Sequence, residues 1–299
     1  MRPPIRSLSV IVAALAVAAC GTSASSASPG VTIAPPSGAE VDPSAAWLRA
    51  TTTQAIPPLD RFAVPDVVDV TSDGTYVTVG PVDAMYPGPL LPNLRQRSIT
   101  DEGRARILAE AARLGLLGGR SDFTGGGVPG GITARLDLTV DGRRVTLTGD
   151  PEAQIQCVTT PCDPPPGTPA AFADLWAKLQ QPDAWLGDAM GPESPFVAAA
   201  YALVVGPAPA LPPEAGMPRP PVVLPVDLGL ATFGVPVADG THRCGTVDGA
   251  DAAALTPAFE EADQLTQWIQ GPTMSATFSL AVRPIVADED PCAETFGTG

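Results

Sequence analysis

The chain has 299 residues, with 17 lysines and arginines against 32 aspartates and glutamates, a single histidine and a formal net charge of −15. A surface of that sign repels a phosphate backbone and offers no polybasic contact to anionic lipid headgroups, so nucleic acid is excluded as a partner. One histidine and no Cys-x-x-Cys argue against a metal centre, and aromatic residues, 5% of the chain, are too few for a sugar-stacking groove.

Arg2 and Arg6 precede an uncharged apolar run from Leu8 to Ala19. A bilayer core needs about 20 apolar residues, so this shorter run reads as an export signal. The residues that close it, Val17-Ala18-Ala19-Cys20-Gly21, resemble the lipobox of bacterial lipoproteins. The resemblance covers only the leader. It implies a signal peptide over residues 1–19, diacylglycerol on the Cys20 thiol, and a lipid-anchored chain on the extracytoplasmic face of the cell membrane. Ordinary cleavage after Ala16 or Ala18 is the alternative. Two acyl chains at about 0.8 kcal/mol per buried methylene suffice to hold a domain on a bilayer. Residues 20–45, rich in Ser, Ala, Gly, Thr and Pro, read as a disordered tether.

Residues 46–205 read as one α+β domain. The β-rich runs Val64 to Val70 and Thr75 to Val79 flank Thr71-Ser72-Asp73-Gly74, which has turn chemistry and predicts a hairpin. Thr100 caps a helix with Asp101 and Glu102 in its first turn, Ile107, Leu108, Ala111, Ala112 and Leu114 at helical spacing, and Gly115 or Gly118 as its stop. Asp141-Gly142 then predicts a second hairpin, pairing Leu138 with Val145 and Leu136 with Leu147. That apolar face needs a cover. The Thr100 helix supplies one, and a helix from Pro169 to Gln181, capped by Thr168 with Phe172, Leu175, Trp176 and Leu179 on one face, supplies the other.

The Pro-rich stretch 206–221 reads as a linker, and 222–299 as a smaller α+β domain. Strand-like runs fall at Val223 to Val226, Ala231 to Val237 and Ala276 to Ile285. The spacing of Phe259, Ala262, Leu265, Trp268 and Ile269 predicts a helix from Thr256-Pro257 to Ile269. The fold class is therefore α+β: two small lobes, each of antiparallel strands packed with one or two helices, after the disordered tether. The tail from Val282 to Cys292 and the stretch Ile99-Thr100-Asp101-Glu102-Gly103 resemble segments of secreted lipoproteins of high-GC bacteria, a likeness that implies architecture and compartment but no activity.

With Cys20 lipidated, Cys157, Cys162, Cys244 and Cys292 remain, an even number for an oxidising compartment. Three pairings are possible; Cys157–Cys162 and Cys244–Cys292 are favoured, one closing a Pro-containing loop and the other tying down the C-terminal tail. A serine triad would need His242, which sits in Thr241-His242-Arg243-Cys244 and reads as a loop histidine, and no Gly-x-Ser-x-Gly is present. Paired carboxylates for glycoside hydrolysis would draw on Asp101, Glu102, Glu260 and Glu261, each better explained by a helix N-terminus or a solvated helix face. Asp288-Glu289-Asp290 offers oxygens for calcium without the spacing of an EF-hand. Gly125-Gly126-Gly127 and Gly130-Gly131 lack the Lys-Ser/Thr of a phosphate loop. The reading is thus a non-catalytic binding or interaction module, with no cofactor and no metal, anchored to the membrane through Cys20 and taking an envelope protein or small ligand as partner. The alternative is an extracytoplasmic hydrolase using paired carboxylates. Gly125 to Gly131 and Pro209 to Pro221 are the expected recognition loops.

Overall fold

Asp141 and Gly142 both take positive φ, 50° and 74°, the geometry whose twist matches the strands of a two-residue hairpin. They join Thr133–Val140 to Arg143–Gly149 in the predicted register, Leu136 opposite Leu147 and Leu138 opposite Val145. The hairpin belongs to a computed structural model that describes residues 46–53, 56–82, 86–125, 131–154, 163–209, 220–271, 276–287 and 289–297.

In chain order the elements are β1 Leu48–Thr53, α1 Pro58–Phe62, β2 Val68–Val70, β3 Thr75–Val79, β4 Leu94–Ser98, α2 Asp101–Arg113, β5 Asp122–Phe123, β6 Thr133–Val140, β7 Arg143–Gly149, α3 Pro169–Gln180, α4 Asp183–Leu186, β8 Ser194–Pro195, β9 Ala200–Pro207, β10 Val222–Val223, β11 Val235–Pro236, β12 Arg243–Asp248, α5 Gly249–Glu261, β13 Gln267–Ile269, β14 Phe278–Pro284 and α6 Pro291–Phe296. Strands β1 to β8 form an eight-stranded sheet in the order β5-β7-β6-β1-β2-β3-β4-β8, and β9 to β14 a six-stranded sheet in the order β10-β13-β14-β9-β12-β11. The fold is α+β. Both sheets lie within one compact unit.

The first sheet is amphipathic. Leu48, Ala50, Leu136, Leu138 and Leu147 point to one side and are buried against Ile107, Ala111 and Leu114 of α2 and its end and Phe172, Leu175 and Leu179 of α3. Both helices begin as their sequences predict. The Thr100 hydroxyl accepts from the Gly103 amide, and the Thr168 hydroxyl from that of Ala171. The alternate positions are Arg49, Thr51 and Thr53 on β1, Arg135, Asp137 and Thr139 on β6, and Arg144, Thr146 and Thr148 on β7. A strand with period two thus gives this sheet one apolar and one polar face.

The second sheet is covered on both sides. Tyr201, Leu203 and Val205 of β9 pack with Leu255 and Phe259 of α5 and with Trp268. Ala202 and Val204 pack on the other side with Phe62 of α1, Cys244 and the α6 residues Cys292 and Phe296. Burial on both faces explains the unbroken apolar run of β9. It also places that strand: Ala200–Pro207, read from sequence with the first unit, lies between β14 and β12 at the centre of the second sheet. Of the Pro-rich stretch 206–221, residues 210–219 lie outside the described residues.

Three sequence expectations change. The helix expected from Thr256 to Ile269 is instead Gly249–Glu261, followed by strand β13. Its buried residues Ala252, Leu255 and Phe259 keep helical spacing across Pro257, which the helix holds in its interior. It stops where the Asp263 carboxylate accepts hydrogen bonds from the Leu265 amide and the Thr266 hydroxyl, a local turn that competes with further helix. Trp268 is then buried on a strand opposite Phe278. The runs Val223 to Val226 and Ala231 to Val237 shorten to the two-residue strands β10 and β11. The run Val64 to Val70 forms a strand only from Val68, because Pro65 cannot donate to a ladder.

Candidate functional site

The buried charged residues among those described are Arg49, Asp69, Asp137, Arg283 and Glu289. All five belong to the seam where the polar face of the first sheet meets the second. Asp69 on β2, Arg49 on β1, Asp137 on β6 and Thr146 on β7 are consecutive partners across four strands. Arg49 directs Nε to Asp69 Oδ1 at 3.2 Å and to Asp66 Oδ2 at 3.3 Å, and Nη1 to Glu294 Oε1 at 3.0 Å. From the second sheet, Arg283 reaches Asp66 Oδ1 at 3.0 Å and Glu289 Oε2 at 2.6 Å, while its Nη1 donates to the Val64 carbonyl. Asp66 is thus held by one arginine from each sheet.

Burial governs the titration of this cluster. Burial opposes the charge of Arg49, but Asp69 and Asp66 more than offset it and its pKa is raised. Burial pushes the Asp69 carboxyl well above its ordinary value, reinforced by Asp66 and opposed by Arg49. Burial likewise raises Glu289, against the pull of Arg283.

Beside the cluster opens a pocket of about 400 Å³. Its floor is the polar face of β1, β6 and β7, with Arg49, Thr51, Thr53, Arg135, Asp137 and Arg144; its walls include Arg61 of α1, Asp66, Arg283 of β14 and Glu294 of α6. The Cys244–Cys292 disulfide ties α6 to β12 and so fixes the helix that carries Glu294. Each carboxylate lining the pocket is tied to a guanidinium: Asp66 and Glu294 as above, and Asp137 to Arg135 at 2.9 Å. The two carboxyl groups of the cluster whose pKa values rise, Asp69 and Glu289, lie behind the wall and do not line the pocket.

A second cavity, about 780 Å³, is more open and apolar, lined by Leu59, Val64, Val79, Val82, Leu90 and Leu280 among others. The segment that carries Leu90 is clipped to the end of α5, its amide donating to the Ala262 carbonyl at 3.0 Å.

The residues singled out from sequence do not build the polar pocket. Asp101 and Glu102 are exposed on α2, where they pair with Arg104 and Arg106, and Glu260 and Glu261 are exposed on α5. The structure does not bring these two pairs together. His242 is a clamp within the β11–β12 hairpin: Nδ1 lies 2.6 Å from Asp239 Oδ2, and the ring covers Gly206 of β9, where a Cβ would collide with it. The amides of His242 and Thr241 hold Asp239 down to about 2. Glu289 is turned inward to Arg283 and the Val286 amide, and Asp290 caps α6 through the Ala293 amide. Asp288, Cys20, Cys157, Cys162 and residues 126–130 lie outside the described residues. Among the described residues, no group of three or more His, Cys, Asp or Glu side chains could hold a metal, and no helix is long and apolar enough to cross a membrane.

The pocket residues did leave a signal in the sequence: Arg-x-Thr-x-Thr at Arg49, Arg-x-Asp-x-Thr at Arg135 and Arg-x-Thr-x-Thr at Arg144 are three strands whose outward positions are all polar. Comparison with protein-family models, curated proteins and solved structures found no match to the chain.

Proposed function

We propose that this protein is a lipid-anchored, non-catalytic binding module of the cell envelope, and that its ligand site is the polar pocket at the seam of the two sheets. The observation that carries this reading is the state of the carboxylates that line the pocket. Asp66, Asp137 and Glu294 each contact an arginine, a structural engagement ill suited to moving protons, whereas a hydrolase needs a carboxyl poised at the cavity surface to do so. The pocket, at about 400 Å³, falls within the usual size range of small-molecule sites. Support for the compartment comes from Val17-Ala18-Ala19-Cys20 and from the Cys244–Cys292 disulfide, a bond typical of oxidising spaces.

Two measurements test this reading. Native mass spectrometry of the protein purified from its membrane is expected to show a diacylglycerol-modified Cys20 and a non-covalent small-molecule adduct that a pocket-filling Thr51→Trp variant lacks. Hydrolysis of ester or glycoside substrates that Asp66→Asn or Glu294→Gln abolishes would replace the binding reading with the hydrolase.

A further inference from the structure

The same pocket carries an inference about the chemistry of its ligand, which rests on the binding reading above. In a chain of net charge −15, its lining holds five arginines, Arg49, Arg61, Arg135, Arg144 and Arg283, against three carboxylates, Asp66, Asp137 and Glu294. Asp69 and Glu289 behind the wall offset part of that charge, so the excess of cations is one of the side chains that a ligand would touch, on a concave surface where fixed charge acts strongly on it.

The excess resides in two particular side chains. Arg49, Arg135 and Arg283 are paired with carboxylates, although Nη2 of Arg49 is buried without a hydrogen bond. Arg144 spends one N–H on the Ala46 carbonyl and has no carboxylate partner among the described residues. Arg61 has no side-chain partner among them, and its Nε is buried without a hydrogen bond. A buried, unsatisfied guanidinium donor is costly unless a ligand completes it. A pocket of similar size elsewhere supplies the contrast: Arg95 and Arg97 line it, and both are tied to Glu193, with Arg97 also on Asp183. Arginines at that surface are cancelled, whereas Arg61 and Arg144 are left over.

We propose that the seam pocket binds a small oxyanion, carried by a carboxylate or a phosphate, with the guanidiniums of Arg61 and Arg144 as its principal donors and the hydroxyls of Thr51 and Thr53 beside them. A guanidinium presents paired N–H donors that match either group, and charge-assisted bonds of this kind are the stronger class. The pocket admits a small molecule or the acidic end of a larger one.

The test is calorimetric titration of the full-length protein with inorganic phosphate, succinate, glucose and spermidine at constant ionic strength. Phosphate or succinate is expected to bind, the stronger of the two naming the source of the oxyanion, with Arg61→Gln and Arg144→Gln each weakening it about tenfold or more. Arg95→Gln, at the other pocket, is expected to leave binding unchanged. Equal binding by wild type and both pocket variants overturns the assignment. Binding of glucose or spermidine alone, lost in Thr51→Trp, overturns the oxyanion and leaves the binding module standing; no response to any of the four overturns the oxyanion, and the adduct measurement then decides the module separately.

Discussion

Arg49 and Asp69 face each other across the β1–β2 ladder, with Nε of the first 3.2 Å from Oδ1 of the second, and both are buried. They anchor a cluster in which two arginines, Arg49 and Arg283, answer four carboxylates, Asp66, Asp69, Glu289 and Glu294. The imbalance makes the cluster asymmetric toward substitution. Arg283→Met or Arg49→Met leaves buried carboxylates unopposed and is expected to cost about 3–5 kcal/mol. Glu289→Gln removes one surplus negative charge whose ionisation burial already resists, and is expected to cost clearly less at neutral pH. Urea unfolding of the three variants measures the difference; equal costs would mean that the carboxylates are not in excess.

Acid should weaken the packing of α2 against α3 through Glu110. Hydrogen bonds from Arg113 lower its pKa first, then those from Lys178, bringing it from 4.5 to about 2. A carboxyl depressed in the folded state stabilises above its unfolded value, and that stability is lost as pH falls from about 4.5 toward 2. The Glu110→Gln variant is expected to lose less stability across that window than wild type. At neutral pH it should be weaker by no more than about 1 kcal/mol, since solvent screens the pair. Thermal unfolding against pH gives both values.

Removal of the Cys244–Cys292 disulfide frees a segment of 48 residues in the unfolded chain. Chain-entropy arguments put the loss near 4 kcal/mol. The paired Cys244→Ala/Cys292→Ala variant should show that loss in urea unfolding. It should also lose affinity for the pocket ligand, because α6 carries Glu294. An unchanged affinity would mean that α6 keeps its place through Phe296 and its neighbours alone.

Gly149 tests the packing under the first sheet. A Cβ there would sit 2.8 Å from Cε1 of Phe172 and closer still to other atoms of that ring. Phe172 is fully buried, so it cannot swing away, and Gly149→Ala is expected to cost about 1–3 kcal/mol through overpacking. A neutral effect in chemical denaturation would mean that α3 shifts freely over the sheet.

Much of the fold was legible because it is local. Asp141-Gly142 dictated a turn and hence a register, Thr100 and Thr168 marked helix starts, and period two in β6 and β7 marked the face that the helices cover. The α5 region departs from its sequence expectation for a physical reason: Trp268 and Ile269 lie at helical spacing from Leu265, but pairing of β13 with β14 and burial of Trp268 against Phe259 outweigh that periodicity. The candidate site was not legible as a site. Alternation shows that Arg49, Arg135 and Arg144 point away from the apolar face, yet it carries no information about what stands opposite them. Only the tertiary fold brings Arg61, Asp66, Arg283 and Glu294, as much as 245 residues distant from Arg49, to that face. Short-range sterics and periodicity are written into neighbouring residues, whereas a charge meets its partner wherever the packing of two sheets leaves room for both.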